Sequence, residues 1–182
     1  MAGHLEKQST QTKRKRHSTD PGIPPIIRFL IKLMLLIVAG GILMLFVIGI
    51  FVSHSNDMYP ALRDGDLCIT WKLKEPVYGD IVVYQARGER HFGRVVGMPG
   101  DVIDIDDTGA YTLNGNLPNE TVYYETRRDP DSMVEYPCTV EEGKLFVLND
   151  LRENMGDSRR FGPISTSYTE GCVAILLRRR GW

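Results

Sequence analysis

The sequence predicts a mainly β protein, in which an all-β domain of short antiparallel strands follows one N-terminal transmembrane helix. Two observations support this prediction. A run of 20 residues without a charge, residues 33–52, lies near the start of the chain. After that run, short β-type segments alternate with turn signals, and helical periodicity is scarce. The length of 182 residues suits one domain of ordinary size plus an accessory segment.

The first 25 residues are polar and end in the Pro-rich stretch PGIPP, so we expect a disordered basic tail. Residues 1–32 hold seven Lys or Arg against two acidic residues. Basic residues before a span keep the preceding segment in the cytoplasm, so residues 1–25 are predicted to be cytoplasmic and residues 53–182 extracytoplasmic. The rest of the chain has 15 basic and 21 acidic residues, which argues against a nucleic-acid partner.

Residues 26–52 are predicted to form a single-pass transmembrane helix. Its charge-free part is 20 residues long. At about 1.5 Å per residue this part spans roughly 30 Å, the thickness of the hydrocarbon core of a bilayer. The apolar region of a cleaved signal peptide is usually shorter, about 7–15 residues, and ends at a small-x-small site. Phe51-Val52-Ser53 fits such a site poorly, which favours an uncleaved anchor in the cell membrane.

Residues 53–182 are predicted to form the outer domain. Eight β-type runs are found there, at 67–71, 80–84, 94–97, 101–105, 110–113, 121–125, 144–148 and 172–176. Asn114-Gly115 separates two of these runs, and this pair favours a type I′ hairpin turn because both central residues need positive φ.

The three cysteines, Cys68, Cys138 and Cys172, all fall in the outer domain. They show no CxxC spacing, so no metal site and no cofactor are predicted. One disulfide with a spare thiol and three reduced thiols both remain open, because sequence alone does not decide pairing.

Several collinear segments resemble the type I signal peptidases, which are membrane-anchored Ser/Lys proteases. The segments with the clearest resemblance are SNDMYPAL at 55–62, FGRVVGMPGD at 92–101 and NDLRENMGDSRRFG at 149–162, and YGDIVVY at 78–84 adds to them. Because these motifs follow a membrane span in the family's order, the resemblance is specific. It implies the signal-peptidase-type β fold for the outer domain.

The sequence departs from the family at its chemical positions. Asp57 stands where the family has its serine nucleophile, and Gly93 stands where the family has its lysine base. Met155 stands where the fourth motif often has a serine that orients the lysine. The resemblance therefore implies an inactive homologue with no catalytic residues, because nucleophile, base and orienting group are all replaced.

Two rescues of the chemistry stay open at this point. Ser55 and Asp57 point to the same side of an extended chain, so Ser55 would attack with Asp57 as its base. Carboxylates are weak bases toward serine at neutral pH, which disfavours this arrangement. Alternatively, Asp57 and Asp157 would form an aspartic-type dyad, although the family pattern pairs Asp157 with Arg159. His91 is expected in a solvated loop and is not expected to help.

The retained residues are predicted to line either a peptide groove or the degenerate site beside it. They are Ser55, Asp57, Met58, Tyr59, Pro60, Gly93, Arg94, Asp157 and Arg159. We hypothesise that backbone N–H groups or a cation, Arg94 or Arg159, hold the carboxylate of Asp57. Signal peptidases bind an extended peptide as an added strand, and that binding survives loss of the nucleophile.

The replacement of Ser by Asp and of Lys by Gly resembles one particular subgroup, the signal-peptidase-like pilus accessory proteins of the SipA type in Gram-positive bacteria. The resemblance implies an accessory chaperone or adaptor in sortase-dependent pilus assembly. Its partners would be pilin subunits or the pilus sortase, together with membrane lipid. The alternatives are an active signal peptidase that uses Ser55 and Asp57, and a membrane scaffold that binds no peptide.

Overall fold

The computed structural model describes residues 23–118, 125–132 and 134–178. Residues 1–22 of the predicted tail and residues 121–124 of one predicted strand lie outside these ranges. Contacts divide the chain into two units, residues 1–40 and 41–182, and the β structure belongs to the second.

Helix α1 covers Pro25–Val47, has 23 residues, and is apolar apart from Arg28 and Lys32 near its start. Among the described residues it is the one helix long and apolar enough to cross a membrane. The predicted helix was too long, because residues 48–52 form strand β1, Ile48–Val52. An apolar run carries no periodicity that marks where a helix gives way to a strand. Gly49 permits the close pairing in β1, since a Cβ at this position would lie 2.4 Å from Thr70 Oγ1.

Within the described residues, ten strands build two antiparallel sheets, which confirms the mainly β prediction. Strands β1, β2 (Leu67–Trp71), β3 (Ile81–Ala86), β4 (Glu89–Gly97), β8 (Lys144–Leu148), β9 (Ile164–Ser165) and β10 (Thr169–Leu177) form the larger sheet. Their spatial order is β1-β2-β10-β3-β4-β8-β9. The smaller sheet has the order β6-β5-β7, from Tyr111–Leu113, Val102–Ile105 and Cys138–Thr139. One short helix, α2 at Ser158–Phe161, precedes β9.

Strand β4 begins at Glu89, five residues earlier than the sequence predicts, so His91 lies on a strand and not in a loop. The prediction was wrong because the first half of β4 is polar and lacks an apolar alternation. A two-residue turn, Arg87-Gly88, closes the β3–β4 hairpin with φ values of 50° and 83°. Positive φ at both central residues is the requirement of a tight primed turn. The same requirement is met at Asn114-Gly115, with φ values of 52° and 76°.

Buried apolar side chains form three clusters. The first cluster contains Tyr84, Val95 and Val147, the second contains Ile103 and Phe146, and the third contains Met58.

All three cysteines are free thiols, which decides between the two open alternatives in favour of three reduced residues.

Asp101 ties the turn at Pro99-Gly100 to the turn at Asn114. Its carboxylate accepts hydrogen bonds from the Tyr78 hydroxyl, from the Met98 N–H at 2.7 Å and from Asn114 Nδ2 at 2.8 Å. Burial raises the pKa of Asp101, but these hydrogen bonds outweigh it and hold the pKa below its ordinary value. The hydrogen bond to Asp101 likewise raises the pKa of Tyr78 to about 12. This part of the family motif therefore stabilises the fold.

Candidate functional site

Asp57 lies in the loop between β1 and β2. The loop closes on itself through a hydrogen bond of 2.9 Å from Ser53 N–H to Asp66 O. The neighbouring side chain of Met58 is only 2% exposed and packs in the third core cluster. Met58, predicted to line the groove or the site, is therefore a core side chain and does not border the cleft described below. A large apolar side chain next to the core gains more from burial than from the surface, and its burial fixes the position of Asp57.

Neutral donors hold the carboxylate of Asp57. The Ser55 hydroxyl donates to Asp57 Oδ2 at 2.8 Å, and Asn154 Nδ2 donates to Asp57 Oδ1 at 2.5 Å. The backbone carbonyl of Asp57 accepts the Leu151 N–H at 2.9 Å. The donors to this carboxylate are therefore side chains, whereas we hypothesised backbone N–H groups.

The two candidate cations bind other carboxylates. Arg94 forms a bidentate pair with Asp150, at 2.7 and 2.6 Å, and Arg94 Nη1 donates to Gly79 O at 2.7 Å. Arg159 pairs with Asp157. In the described part of the chain, no ion pair joins either arginine to Asp57.

Gly93 is buried, and its surroundings are tight for a side chain. A Cβ at position 93 would lie 3.1 Å from Tyr84 Cε1 and 3.1 Å from Val147 Cβ. Ordinary carbon–carbon contacts are about 3.5–4.0 Å, so even a methyl group would press on both neighbours. Tyr84 is fully buried, stacks on His91 and donates its hydroxyl to Gly156 O at 3.5 Å. The side chains of Tyr84 and Val147 therefore crowd the position where the family has its lysine.

The pKa of Tyr84 also reflects the negative charge of the site. Burial raises its pKa well above the ordinary value, and the carboxylates of Asp157 and Asp57 raise it further. The phenol therefore stays protonated at any physiological pH and cannot serve as a base.

The described lysines of the outer domain are engaged elsewhere. Lys72 Nζ donates to Leu45 O at 2.9 Å. Lys74 and Lys144 each pair with a nearby carboxylate at 2.7 Å, from Asp80 and Glu141 respectively. Within the ranges that the structure describes, no lysine of this domain is placed to replace the missing base.

Asp157 and Arg159 form a fully buried ion pair beneath the site, as the resemblance implies. Asp157 caps α2 by accepting the Arg159 N–H at 2.9 Å, and it also accepts the Asn149 N–H at 2.9 Å. Arg159 Nη1 donates to Arg152 O at 2.8 Å and Arg159 Nη2 donates to Asn154 O at 2.8 Å. Because these groups satisfy one another, the pair is a support for the loop that carries Asn154. Asp157 is not available for a dyad with Asp57.

An open cleft of about 560 Å³ borders Asp57. Its lining consists of Asp57, His91, Asp129, Pro130, Asp131, Glu153, Asn154, Met155, Gly156 and Arg160. Of the nine residues predicted to line a groove, Asp57 alone lines this cleft. Tyr59 and Pro60 are exposed outside it, whereas Gly93, Asp157 and Arg159 lie buried.

Sequence reasoning missed His91, Asn154 and Tyr84 as members of the site. His91 and Tyr84 are cross-strand partners in the β3–β4 register, a pairing that requires the early start of β4. Asn154 lies in the NDLREN segment, next to Met155, and its spacing gave no sign that it would reach Asp57. Met155 lines the cleft with a thioether, which cannot orient an amine as a hydroxyl does.

Comparison with known proteins gives consistent matches. The family model described as "Signal peptidase, peptidase S26" matches residues 26–177. A protein named "Inactive signal peptidase IA" from Staphylococcus aureus (strain COL) is 29% identical over 159 residues, covering 82% of this chain and 90% of the relative. A "Signal peptidase I" from Bacillus licheniformis is 30% identical over 121 residues, and the match covers 60% of this chain and 64% of that relative. A solved signal peptidase I from Enterococcus faecalis V583 is 27% identical, with a TM-score of 0.47, and covers 56% of this chain and 98% of that chain.

Proposed function

The chain belongs to the signal peptidase family, peptidase S26, and from that membership we propose that it is a non-catalytic member that binds a protein partner in pilus assembly. The apolar helix α1 and the family indicate a membrane-anchored protein. The proposal places residues 1–25 in the cytoplasm and the outer domain outside the membrane. In this location it would act as an accessory chaperone or adaptor for pilin subunits or the pilus sortase.

One observation carries the non-catalytic part of the proposal. Position 93 is a glycine and has no side chain. A Cβ atom added there would lie 3.1 Å from Tyr84 and 3.1 Å from Val147. A Ser/Lys peptidase needs an uncharged amine next to its nucleophile, and this position is where the family supplies it. The relative from Staphylococcus aureus, which is named as inactive and matches 82% of this chain, supports a non-catalytic member.

The cleft beside Asp57 supports the binding part of the proposal. It is open to solvent and bordered by strand β4 through His91 and by the loop that carries Met155. An open cleft beside a sheet accepts an extended segment, with binding through backbone groups and side-chain pockets. Loss of the nucleophile leaves that surface intact.

A second candidate function is a peptidase with displaced chemistry. It is favoured by the hydrogen bond of 2.8 Å from Ser55 Oγ to Asp57 Oδ2, which is the contact between a nucleophile and its base. Against it, Asn154 donates to the other oxygen of the same carboxylate. The carboxylate is therefore already engaged in linking the β1–β2 loop to the loop that carries Met155.

The deciding experiment uses the full-length protein in detergent micelles with a purified pre-pilin that carries its signal peptide. We expect no cleavage, measured by mass spectrometry of the precursor. Cleavage that disappears in both Ser55→Ala and Asp57→Asn would establish the peptidase and reject the non-catalytic reading.

Binding is tested on the same preparation by titration with fluorescently labelled pilin. We expect saturable binding that Met155→Asp weakens, because the substitution puts a charge into the cleft. Leu117→Asp is the matched control, since Leu117 is 77% exposed and lies outside the cleft. No binding by the unmodified protein would favour the scaffold alternative. Equal losses in both variants would show that the cleft is not the binding surface.

A further inference from the structure

The outer domain carries a second recess, which lies between the β3–β4 turn and the segment that runs from α2 through β9. Its volume is about 530 Å³, within the range of about 300–1,000 Å³ that is usual for ligand sites. We call it the turn recess. Its lining combines apolar side chains with an exposed arginine, and it includes Ala86, Arg87, Phe161, Pro163, Ile164 and Tyr168.

The inner part of the turn recess is apolar. Ile164 is 6% exposed and belongs to the first core cluster, and both Ala86 and Phe161 pack against that cluster. Tyr168 lines the recess from the surface, where it is 62% exposed. A molecule that entered the recess would cover these side chains, and the removal of apolar surface from water favours its association.

Arg87 gives the turn recess a positive charge that no acidic side chain balances. Its guanidinium carbon lies 5.4 Å from the centroid of the Phe161 ring, and none of the ion pairs among the described residues includes Arg87. The other arginine of the lining, Arg160, is already paired with Asp129 at 2.6 Å. No described Asp or Glu lines the recess, whereas four carboxylates line the cleft beside Asp57.

The backbone at Arg87 is in a conformation that arginine rarely adopts. Arg87 is the first central residue of the β3–β4 turn and has a φ of 50°. The other described non-glycine residue with a positive φ is Asn114, and asparagine is the residue that such a turn prefers. Arginine at position 87 therefore costs conformational free energy that asparagine would not. Unfavourable backbone conformations of this kind are concentrated at functional sites.

We propose that the turn recess binds an extended acidic segment of a partner protein, in which a carboxylate residue and an apolar residue are two positions apart. Side chains two positions apart in an extended chain point to the same side. One segment therefore offers its carboxylate to the N–H donors of Arg87 and its apolar side chain to the surface around Ile164. Strand β9, which carries Ile164, is the last strand of the larger sheet. The outer edge of such a strand accepts a passing segment through backbone hydrogen bonds.

The turn recess is distinct from the cleft beside Asp57, so its occupancy does not depend on pilin binding in that cleft. The test titrates the full-length protein in detergent micelles with the peptide Gly-Ser-Asp-Ser-Phe-Ser-Gly, acetylated and amidated at its ends. The Phe carries a fluorine atom, so fluorine NMR reports binding after subtraction of the signal with empty micelles. We expect saturable binding, and roughly fivefold weaker binding when Asn replaces the Asp of the peptide, because one exposed ion pair is lost. No saturable binding, or equal binding of the two peptides, would overturn the proposal.

Arg87→Asn tests whether Arg87 is the group that recognises the carboxylate. Asparagine tolerates positive φ, so the turn is expected to form and the melting temperature to stay equal or rise. The variant should bind the Asp peptide roughly fivefold more weakly and should no longer distinguish it from the Asn peptide. Arg63→Asn is the matched control, because Arg63 is also exposed, lies 5.4 Å from the centroid of the Tyr59 ring and is outside the recess. Continued discrimination by Arg87→Asn, or an equal loss in Arg63→Asn, would contradict the assignment.

A third peptide tests the source of the carboxylate. Gly-Ser-Gly-Ser-Phe with a free carboxyl terminus places the charge at the end of the chain next to the same aromatic side chain. We expect it to bind more weakly than the Asp peptide, because it ends where a passing segment would continue along β9. Tighter binding of this third peptide would show that the recess receives a chain end, which would reject the passing segment.

Discussion

Gly93→Ala is expected to destabilise the outer domain, although glycine-to-alanine changes in extended backbone are usually favourable. The new Cβ would lie 3.1 Å from Tyr84 Cε1, 3.1 Å from Val147 Cβ and 3.2 Å from Val147 Cγ2. Val147 Cβ is attached to the backbone of β8 and Tyr84 is fully buried, so the new methyl group requires both core neighbours to shift by a few tenths of an ångström. The added methyl group therefore overpacks the core.

The magnitude follows from two opposing effects. Overpacking a well-packed core costs about 1–3 kcal/mol. Replacing glycine by alanine restricts the unfolded chain and recovers about 0.4–1 kcal/mol. We expect a net loss of roughly 1–2 kcal/mol in the free energy of unfolding. For a domain of this size a loss of about 1 kcal/mol lowers the melting temperature by roughly 2–8 °C.

The assay is denaturant unfolding of the full-length protein in detergent, followed by tryptophan fluorescence. Gly156→Ala is the matched control, because Gly156 is also near the site, has no positive φ, and would have nothing within 4 Å of a new Cβ. This control should be neutral or slightly stabilising. In a Tyr84→Ala background, Gly93→Ala should cost less, since one of its two neighbours is gone. A Gly93→Ala protein as stable as the unmodified one would refute the conclusion that its neighbours crowd position 93.

Three further results are expected. Arg159→Met should lower the free energy of unfolding by about 3–5 kcal/mol, because it leaves the buried carboxylate of Asp157 unpaired. The control Arg127→Met breaks an exposed pair with Glu125 and should change this free energy by at most about 1 kcal/mol. Thermal melting of the two variants measures the difference. Burial raises the pKa values of Cys68 and Cys172 to about 11, so neither thiol should react with iodoacetamide at pH 8 until the protein is unfolded, as mass spectrometry would report. The pKa of Asp101 is lowered in the folded state, so its contribution to stability is present above its unfolded pKa, near 3.9, and lost as the pH falls through the folded value. The stability of Asp101→Asn, measured by denaturant unfolding from pH 7 to pH 3, should therefore fall less steeply with acid than that of the unmodified protein.

Restoration of the family's residues gives a related expectation. Asp57→Ser combined with Gly93→Lys would rebuild nucleophile and base if the backbone alone determined the site. Because Tyr84 and Val147 crowd position 93, we expect this double variant to be less stable than Gly93→Ala and to cleave no precursor. Signal-peptide cleavage by a stably folded double variant would contradict this expectation.

Local sequence patterns predicted many elements well. The run LCITW became β2 with the predicted bounds, and KLFVL became β8. Both are short apolar runs between turn signals, and such runs are typical of buried strands. The turn at Asn114-Gly115 also formed, because few other residue pairs tolerate positive φ at both positions.

The predictions that failed concern side chains whose environment depends on distant parts of the chain. His91 was expected in a loop because its neighbours are polar, but pairing with Tyr84 across β3 extends the strand through it. Met58 was expected at a groove because of its motif, but the third core cluster buries it. The end of the membrane helix was misplaced by five residues, because pairing with β2 and not local composition converts Ile48–Val52 into a strand.

The sequence by itself determined the apolar N-terminal helix, the β class of the domain that follows it and the identity of the residues at positions 57, 93 and 155. These follow from composition, spacing and residue type, which are local properties of the chain. Only the tertiary structure decided what holds Asp57, that Tyr84 and Val147 crowd position 93, and that residues 48–52 pair with β2 as a strand. The physical reason is that packing and register bring together residues far apart in sequence, and neither composition nor spacing encodes those contacts individually.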